Sequence, residues 1–258
     1  MNLEEKKIGL CLSGGGARGF AHLGVLQALD ELNIPIAKIS GASAGAFAAA
    51  FYAGGYAPKE ALDIILQRGF WQYVGIAPNR WGLLSLEKTR RVLEELFPEN
   101  AFEKLNIPIA ICATNIGKGK PEYFEKGQLV KPILASAAIP ALFKPVKIEG
   151  NYYLDGGLTN NMPLKPLKKC DFTIAVNITP FHKRMPVHSV KDIVLKTIYI
   201  SVDQQTRQKA KKADLNLIPD GIMRYDGFRM KNAHKLFDLG YESAIKSFAN
   251  IQDQFTYH

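Results

Sequence analysis

The stretch Ile39-Ser40-Gly41-Ala42-Ser43-Ala44-Gly45-Ala46-Phe47 places one serine between an apolar run and an alanine-rich run. The pattern predicts a buried strand, a very tight turn with Ser43 at its apex, and a helix that begins at Ala44. Gly41 and Gly45 are expected where a side chain would collide with neighbouring backbone. The start of the helix would point N–H groups at the serine oxygen and lower the cost of an alkoxide. Ser43 is therefore a candidate nucleophile, although turns without a catalytic role share this short pattern.

Length and composition favour one α/β domain over residues 1–258. The chain is 47% hydrophobic and 22% charged, and it holds no linker-like or low-complexity stretch. The N-terminus carries charges of both signs and does not resemble a secretory signal. The uncharged stretch 39–58 is better explained by a buried helix than by a membrane span. Three isolated cysteines, Cys11, Cys112 and Cys170, are typical of buried thiols in a reducing compartment, so we expect a cytoplasmic protein.

The formal net charge of +9 bears on partners. It makes peripheral contact with an anionic membrane surface one possibility, whereas charge runs most often only keep a surface solvated. Apolar insertion into a membrane would instead use Phe70, Trp71 and Trp81. Nucleic acid is not expected as a partner, because no binding motif accompanies the charge. The oligomeric state does not follow from the sequence.

A second motif, Gly14-Gly15-Gly16-Ala17-Arg18-Gly19, follows the apolar run Ile8–Leu12 and precedes a predicted helix. This arrangement fits the dinucleotide-binding fingerprint, which also needs an acidic residue at the end of the second strand. The Ser43 turn occupies that place, and the loop lacks the lysine and hydroxyl of a phosphate-binding loop. The same backbone N–H groups equally suit the oxyanion of acyl transfer, so no cofactor is expected.

A third motif, Asp155-Gly156-Gly157, is predicted to follow a hairpin built from 146–148 and 152–154. Two glycines after an aspartate allow the backbone to turn sharply while the carboxylate stays in place. An aspartate that serves only the turn is the alternative interpretation, because turns favour such sequences.

In this order, the glycine loop, the serine turn and Asp155 resemble the patatin-like phospholipase family. Ala-Ser-Ala-Ala-Ile-Pro at 135–140 and Asn-Asn-Met-Pro at 160–163 support the resemblance, which runs from about residue 8 to about residue 247. It implies a three-layer α/β/α fold with a mostly parallel central sheet. It also implies a serine acyl hydrolase that cleaves lipid esters, as a phospholipase A or lysophospholipase does.

The resemblance assigns residues to this chemistry. It implies a catalytic dyad of Ser43 and Asp155 without a catalytic histidine. The oxyanion hole would be formed by Gly14, Gly15 and Gly16, with Arg18 beside them. An ordinary aspartate is a weak base at neutral pH, so the site must raise the pKa of Asp155 or lower that of the serine.

Two other functions stay open at this point. A Ser-His-Asp esterase of the α/β-hydrolase kind would recruit His182, His188 or His234, each of which has a polar or basic sequence context. His22 is expected on the first helix near the glycine loop. A non-catalytic lipid-binding protein is the second alternative. No metal-binding spacing such as H-E-x-x-H occurs, so a metal is not expected.

Overall fold

A computed structural model describes residues 5–67, 75–76, 84–179, 190–225, 227 and 229–256. Helices cover both faces of a central sheet, which confirms the expected three-layer α/β/α fold. The strands are β1 (Ile8–Leu12), β2 (Ile36–Ala42), β3 (Gly75–Ile76), β4 (Leu84–Ser85), β5 (Ile109–Asn115), β6 (Lys120–Phe124), β7 (Val146–Ile148), β8 (Asn151–Asp155), β9 (Phe172–Val176) and β10 (Leu215–Leu217). The helices are α1 (Phe20–Glu31), α2 (Ala44–Ala53), α3 (Pro58–Gln67), α4 (Glu87–Leu96), α5 (Val130–Ser136), α6 (Gly157–Asn160), α7 (Val190–Ala210) and α8 (Ala233–Thr256).

The central sheet has the strand order β10-β9-β1-β2-β5-β8-β7, and β6 pairs with β5 as well. The run from β10 to β5 is parallel, whereas β6, β7 and β8 pair antiparallel to their neighbours. In a parallel sheet, the loops after the carboxyl ends of the strands form the usual binding edge. The glycine loop follows β1 and the Ser43 turn follows β2, so both motifs lie at that edge.

Side-chain alternation along β1 shows how the two faces of the sheet are covered. Ile8, Leu10 and Leu12 point into the main core, which includes buried residues of α1, α2 and α8. Cys11 points the other way, into a smaller core that contains Ala210 of α7. Since both faces of the strand are buried, an almost continuous apolar run is the sequence that this position requires.

Strand β5 brings the carboxyl ends of two other strands, β2 and β8, together along one of its edges. Its residues from Ile109 to Cys112 pair with β2, and its residues from Ala113 to Asn115 pair with β8. Because β6 takes the opposite edge of β5 across the same residues, β2 and β8 share one edge and meet head to head. Ala42 faces Cys112 and Asp155 faces Ala113. The last residues of β2 and β8 therefore pair with two consecutive residues of β5.

The structure departs from the sequence pattern in a few places. The periodicity predicts a last helix over 231–248, whereas α8 begins at Ala233 and continues to Thr256. The segment before α4 looks irregular in sequence, yet β3 and β4 form a small antiparallel pair there. Apolar side chains of these short strands do not alternate over enough residues to show a period. The single-domain assignment of residues 1–258 stays a prediction.

Among the residues that the structure describes, no helix has the length and apolar character needed to cross a bilayer. The alanine-rich stretch after Ser43 is instead α2, a ten-residue helix that packs in the main core.

Candidate active site

Ser43 occupies the strained turn that the sequence predicts. Its backbone has φ 51° and ψ −120°, a conformation that costs about 1–3 kcal/mol for a residue with a side chain. A Cβ on Gly41 would overlap the carbonyl oxygen of Gly45, and a Cβ on Gly45 would overlap that of Leu12. These two contacts explain why glycine is required on both sides of the turn.

Ser136, at the end of α5, holds the turn in place. Its Oγ accepts a hydrogen bond from the N–H of Ser43 at 2.8 Å and donates one to the carbonyl oxygen of Cys112 at 2.6 Å. The Ser136 side chain is fully buried, so both bonds are protected from water. The hydroxyl therefore links the strained turn to β5, the strand that also pairs with β8.

Asp155 contacts the serine directly. Its Oδ2 accepts a hydrogen bond from the Oγ of Ser43 at 2.7 Å, and its Oδ1 accepts one from the N–H of Gly157 at 2.7 Å. Burial of the carboxyl raises the pKa of Asp155 from 3.8 to about 6, and the two hydrogen bonds oppose this rise only in part. The carboxyl is thus mostly ionised at pH 7 and is a stronger base than an exposed aspartate.

The glycine loop approaches Ser43 from the end of β1. The N–H of Gly14 already donates to the Oδ1 of Asn161 at 3.0 Å. The hydrogen bonds among the described residues leave the N–H groups of Gly15 and Gly16 without an acceptor. Gly16 has φ 59°, and a Cβ there would overlap the carbonyl oxygen of Gly227, so this position requires glycine. Gly15 and Gly16 also line the pocket that contains Ser43.

Asn161 ties the loop to two other parts of the chain. Its Nδ2 donates to the Oγ1 of Thr179 at 2.9 Å and to the Oγ1 of Thr206 at 3.2 Å. Thr206 lies on α7, and Thr179 follows β9. Because both ends of the amide are engaged, the side-chain oxygen of Asn161 is directed at Gly14.

His22 of α1 contacts the residue that precedes the glycine loop. Its Nε2 lies 2.7 Å from the carbonyl oxygen of Ser13, which can only accept, so Nε2 carries the proton. The ring is completely buried, and burial lowers its pKa to about 4. His22 is accordingly neutral at pH 7 and acts as a fixed donor to the residue before the glycine loop.

Arg18 connects the other end of the loop to the segment before α8. Its Nε donates to the carbonyl oxygen of Tyr225 at 2.9 Å, and the N–H of Ala17 donates to that of Gly227 at 2.6 Å. Arg18 is buried, and it does not line the pocket that contains Ser43. These contacts favour a role in holding the loop.

The pocket of Ser43 also contains Asp155 and the three loop glycines. Asn161 and Thr179 supply polar groups, whereas much of the remaining wall is apolar. The apolar lining comes from Ile139, Pro140, Leu158, Ile198 and Val202. The pocket thus brings Ser43, Asp155 and the glycine loop together within largely apolar walls.

The histidines of the alternative triad fall elsewhere. His234 is exposed at the start of α8. His182 and His188 lie outside the described residues, as do Phe70, Trp71 and Trp81. The direct contact between Ser43 and Asp155 leaves no imidazole between nucleophile and carboxylate.

The cysteines are free thiols. Cys11 and Cys112 are buried as the sequence predicts, and burial raises the pKa of Cys11 to about 12 and that of Cys112 further above its usual range. Cys170 is half-buried, less than predicted. In the described part of the chain, no group of three or more metal-binding side chains is close enough to hold an ion.

Two residues in the site had no role assigned from sequence. Ser136 and Asn161 belong to the stretches 135–140 and 160–163, which support the family resemblance without revealing a function. The one sequence signal at these positions is a polar residue inside apolar surroundings, since a buried hydroxyl or amide must find hydrogen-bond partners. Which partners it finds depends on the tertiary fold.

The chain is similar in sequence to several known proteins. A family model described as patatin-like phospholipase matches residues 10–168. An uncharacterised NTE family protein of Mycobacterium bovis is 34% identical over 179 residues, which are 68% of this chain and 50% of that protein. Lysophospholipase NTE1 of Candida glabrata is 31% identical over 199 residues, covering 72% of this chain and 11% of that protein. The chain thus spans about half the length of the first relative and about a tenth of the second.

A solved structure shows the same fold. VipD from Legionella pneumophila superposes with a TM-score of 0.57 at 15% sequence identity, and the match covers 95% of this chain and 67% of that one. At this level of identity the likeness concerns the arrangement of the sheet and its helices.

Proposed function

Because the chain belongs to the patatin-like phospholipase family, we propose that it is a serine acyl hydrolase that cleaves lipid esters through Ser43 and Asp155. The reaction would be of the phospholipase A or lysophospholipase type. The observation that carries the proposal is the 2.7 Å hydrogen bond from the Oγ of Ser43 to the Oδ2 of Asp155. A serine becomes a good nucleophile when a base within this distance takes its proton.

In the first half of the reaction, the Oγ of Ser43 attacks the ester carbonyl carbon and its proton passes to the Oδ2 of Asp155. The carbonyl oxygen becomes an oxyanion, which accepts hydrogen bonds from the N–H groups of Gly15 and Gly16. The bond to the leaving alcohol then breaks, and the alcohol oxygen takes the proton from Asp155. An acyl-serine remains.

In the second half, water attacks the acyl-serine. Asp155 accepts a proton from the water and returns it to the Oγ of Ser43 as the fatty acid departs, so the enzyme regains its starting state. The raised pKa of Asp155 supports both roles, because the carboxyl is ionised at neutral pH and can also hold a proton briefly. The start of α2 behind Ser43 adds a favourable dipole for the oxyanion.

The oxyanion hole proposed here uses fewer groups than the sequence suggested. Gly15 and Gly16 serve as donors, since the N–H of Gly14 is engaged by Asn161. Gly14 and Arg18 then hold the loop in place through their contacts with Asn161 and Tyr225. Removal of one such donor typically lowers turnover by about 100- to 1,000-fold, so the loop is a major part of the proposed catalysis.

A fluorophosphonate probe tests the proposal on the purified protein, because it reacts only with an activated serine. We expect covalent labelling of the wild type and none of Ser43→Ala, together with ester hydrolysis that the same substitution abolishes. A panel of phospholipids, lysophospholipids and neutral lipids then defines the substrate. Absence of both labelling and hydrolysis would favour the non-catalytic lipid-binding alternative.

A further inference from the structure

A second pocket lies beside the pocket of Ser43, between the glycine loop and the helices of the main core. All of its lining side chains are apolar, and no titratable group is among them. Such a surface favours a hydrocarbon over a polar group, because a polar group there would lose its hydrogen bonds to water. Besides loop residues, the lining comprises Phe20 and Leu23 of α1, Ala44, Phe47 and Ala48 of α2, and Ile65 of α3.

The two pockets adjoin at the glycine loop. Gly16 lines both of them, and Ala44, which lines the second, directly follows Ser43. Ala44 and Ala48 are one helical turn apart on α2, so two small side chains face the same space. The second pocket is thus an immediate neighbour of the pocket that contains Ser43.

The chemistry separates what each pocket can hold. In the tetrahedral intermediate, the reacting carbon carries the Oγ of Ser43, the oxyanion, the leaving oxygen and the acyl chain. Asp155 must reach the leaving oxygen in order to protonate it, so the alcohol lies on the side of Asp155. Asp155 lines the first pocket and is absent from the lining of the second. The acyl chain is then directed away from Asp155 and toward the second pocket, which has only apolar lining side chains.

We propose that the pocket between α1, α2 and α3 binds the acyl chain of the substrate ester, and that the alcohol portion occupies the pocket of Asp155. This inference rests on the proposed function. It makes Ile65 a specificity-determining residue, because its half-buried side chain forms the wall that α3 contributes. Each methylene that enters the pocket is expected to improve kcat/KM by up to about fourfold.

The test compares p-nitrophenyl butyrate, octanoate, dodecanoate and hexadecanoate, all presented in the same detergent solution. Ile65→Trp fills part of the pocket and should lower the kcat/KM ratio of dodecanoate to butyrate by at least about tenfold, the loss of two or more methylenes. Ile65→Ala enlarges the pocket and should raise the ratio of hexadecanoate to dodecanoate. Ile64→Trp is the matched control, since Ile64 is equally half-buried on α3 but does not line the pocket.

The outcomes separate the inference from the proposed function. A wild type that hydrolyses none of the four esters would disprove the proposed function. A wild type that hydrolyses them, with the same chain-length profile in Ile65→Trp, Ile65→Ala and Ile64→Trp, would overturn only the acyl pocket. If Ile198→Trp in the first pocket changes the chain-length profile while the Ile65 variants do not, the two pockets have the opposite roles. Circular dichroism establishes whether each variant is folded. If Ile65→Trp does not fold, Ile65→Ala alone provides the test.

Discussion

The backbone N–H of Ser43 donates to the side-chain Oγ of Ser136, so a hydroxyl from α5 holds the strained turn of the nucleophile. Such a turn persists only where its surroundings fix it. Loss of this acceptor would leave a buried N–H unsatisfied, at a cost of about 1–3 kcal/mol.

Ser136→Ala is therefore expected to lower the free energy of unfolding by about 1–3 kcal/mol and to reduce kcat more than it raises KM, because the nucleophile is no longer held in place. Urea denaturation and steady-state kinetics measure the two effects. Ser243→Ala is the matched control, since the Oγ of Ser243 on α8 accepts a hydrogen bond from the N–H of Asp220 in the same way. An equal loss of kcat in both variants would contradict the role of Ser136.

Asn161→Ala should reduce kcat by about tenfold to a hundredfold with little change in KM, because the loop that carries the Gly15 and Gly16 donors would lose its anchor. Asn160→Ala is the control variant, which tests whether the effect is specific to Asn161. Asn160 is equally buried, but its side chain contacts Tyr123 and Lys209 and not the loop. We expect this control to stay within about threefold of the wild type, a difference of about 0.7 kcal/mol. Matching losses in the two variants would argue against the anchor.

Asp155→Asn should lower kcat by several orders of magnitude, since the amide keeps the shape of the carboxyl but cannot accept the serine proton. In a triad, removal of the histidine would be at least as damaging as removal of the aspartate. His182→Ala, His188→Ala and His234→Ala are therefore assayed alongside, and each is expected to stay within about tenfold of the wild type. One histidine variant as inactive as Asp155→Asn would disprove the dyad.

The buried carboxyl should also affect stability. Because the pKa of Asp155 is higher in the folded protein than in the unfolded chain, folded molecules bind more protons between about pH 4 and pH 6. The free energy of unfolding must then fall as pH rises through this window, by at most about 3 kcal/mol. Asp155→Asn removes this contribution, so it should gain stability relative to the wild type from pH 4 to pH 7.

Urea denaturation at several pH values measures that difference. Asp63→Asn, at an exposed position of α3, is the control and should follow the wild-type curve. Parallel curves for Asp155→Asn and the wild type would show that burial of this carboxyl carries no such cost.

If the net charge of +9 brings the protein to its lipid substrate, binding to vesicles of anionic phospholipid should weaken as salt is added. Co-sedimentation with phosphatidylglycerol vesicles at low and high salt measures the effect, and phosphatidylcholine vesicles are the control. Binding to both vesicle types that does not respond to salt would indicate apolar insertion in place of charge attraction.

Much of the site could be predicted because its motifs are local. The turn at Ser43 and the glycine loop each depend on residues within a few positions, where only glycine avoids a collision. The helix after Ser43 begins at Ala44 and the hairpin before Asp155 forms as the sequence pattern indicates, since hydrophobic periodicity reports the environment of each element.

The supporting contacts could not be predicted, because they join distant parts of the chain. Asn161 and Gly14 are 147 positions apart, and Ser136 is 93 positions from Ser43. Neither polar side chain carries a local signature of its partner. The same reason explains why the hydrogen bond of Gly14 could not be predicted. Its sequence position suggests an oxyanion donor, whereas its N–H donates to Asn161 in the folded protein.

The head-to-head meeting of β2 and β8 on β5 also bears on protein synthesis. Ser43 and Asp155 lie 112 positions apart, and their contact depends on the pairing of Asp155 with Ala113. A ribosome-bound chain that ends before β8 would therefore hold the serine turn and the glycine loop without the base. We expect such a nascent chain to leave surrounding lipids intact, and hydrolysis to begin only after β8 has emerged and docked.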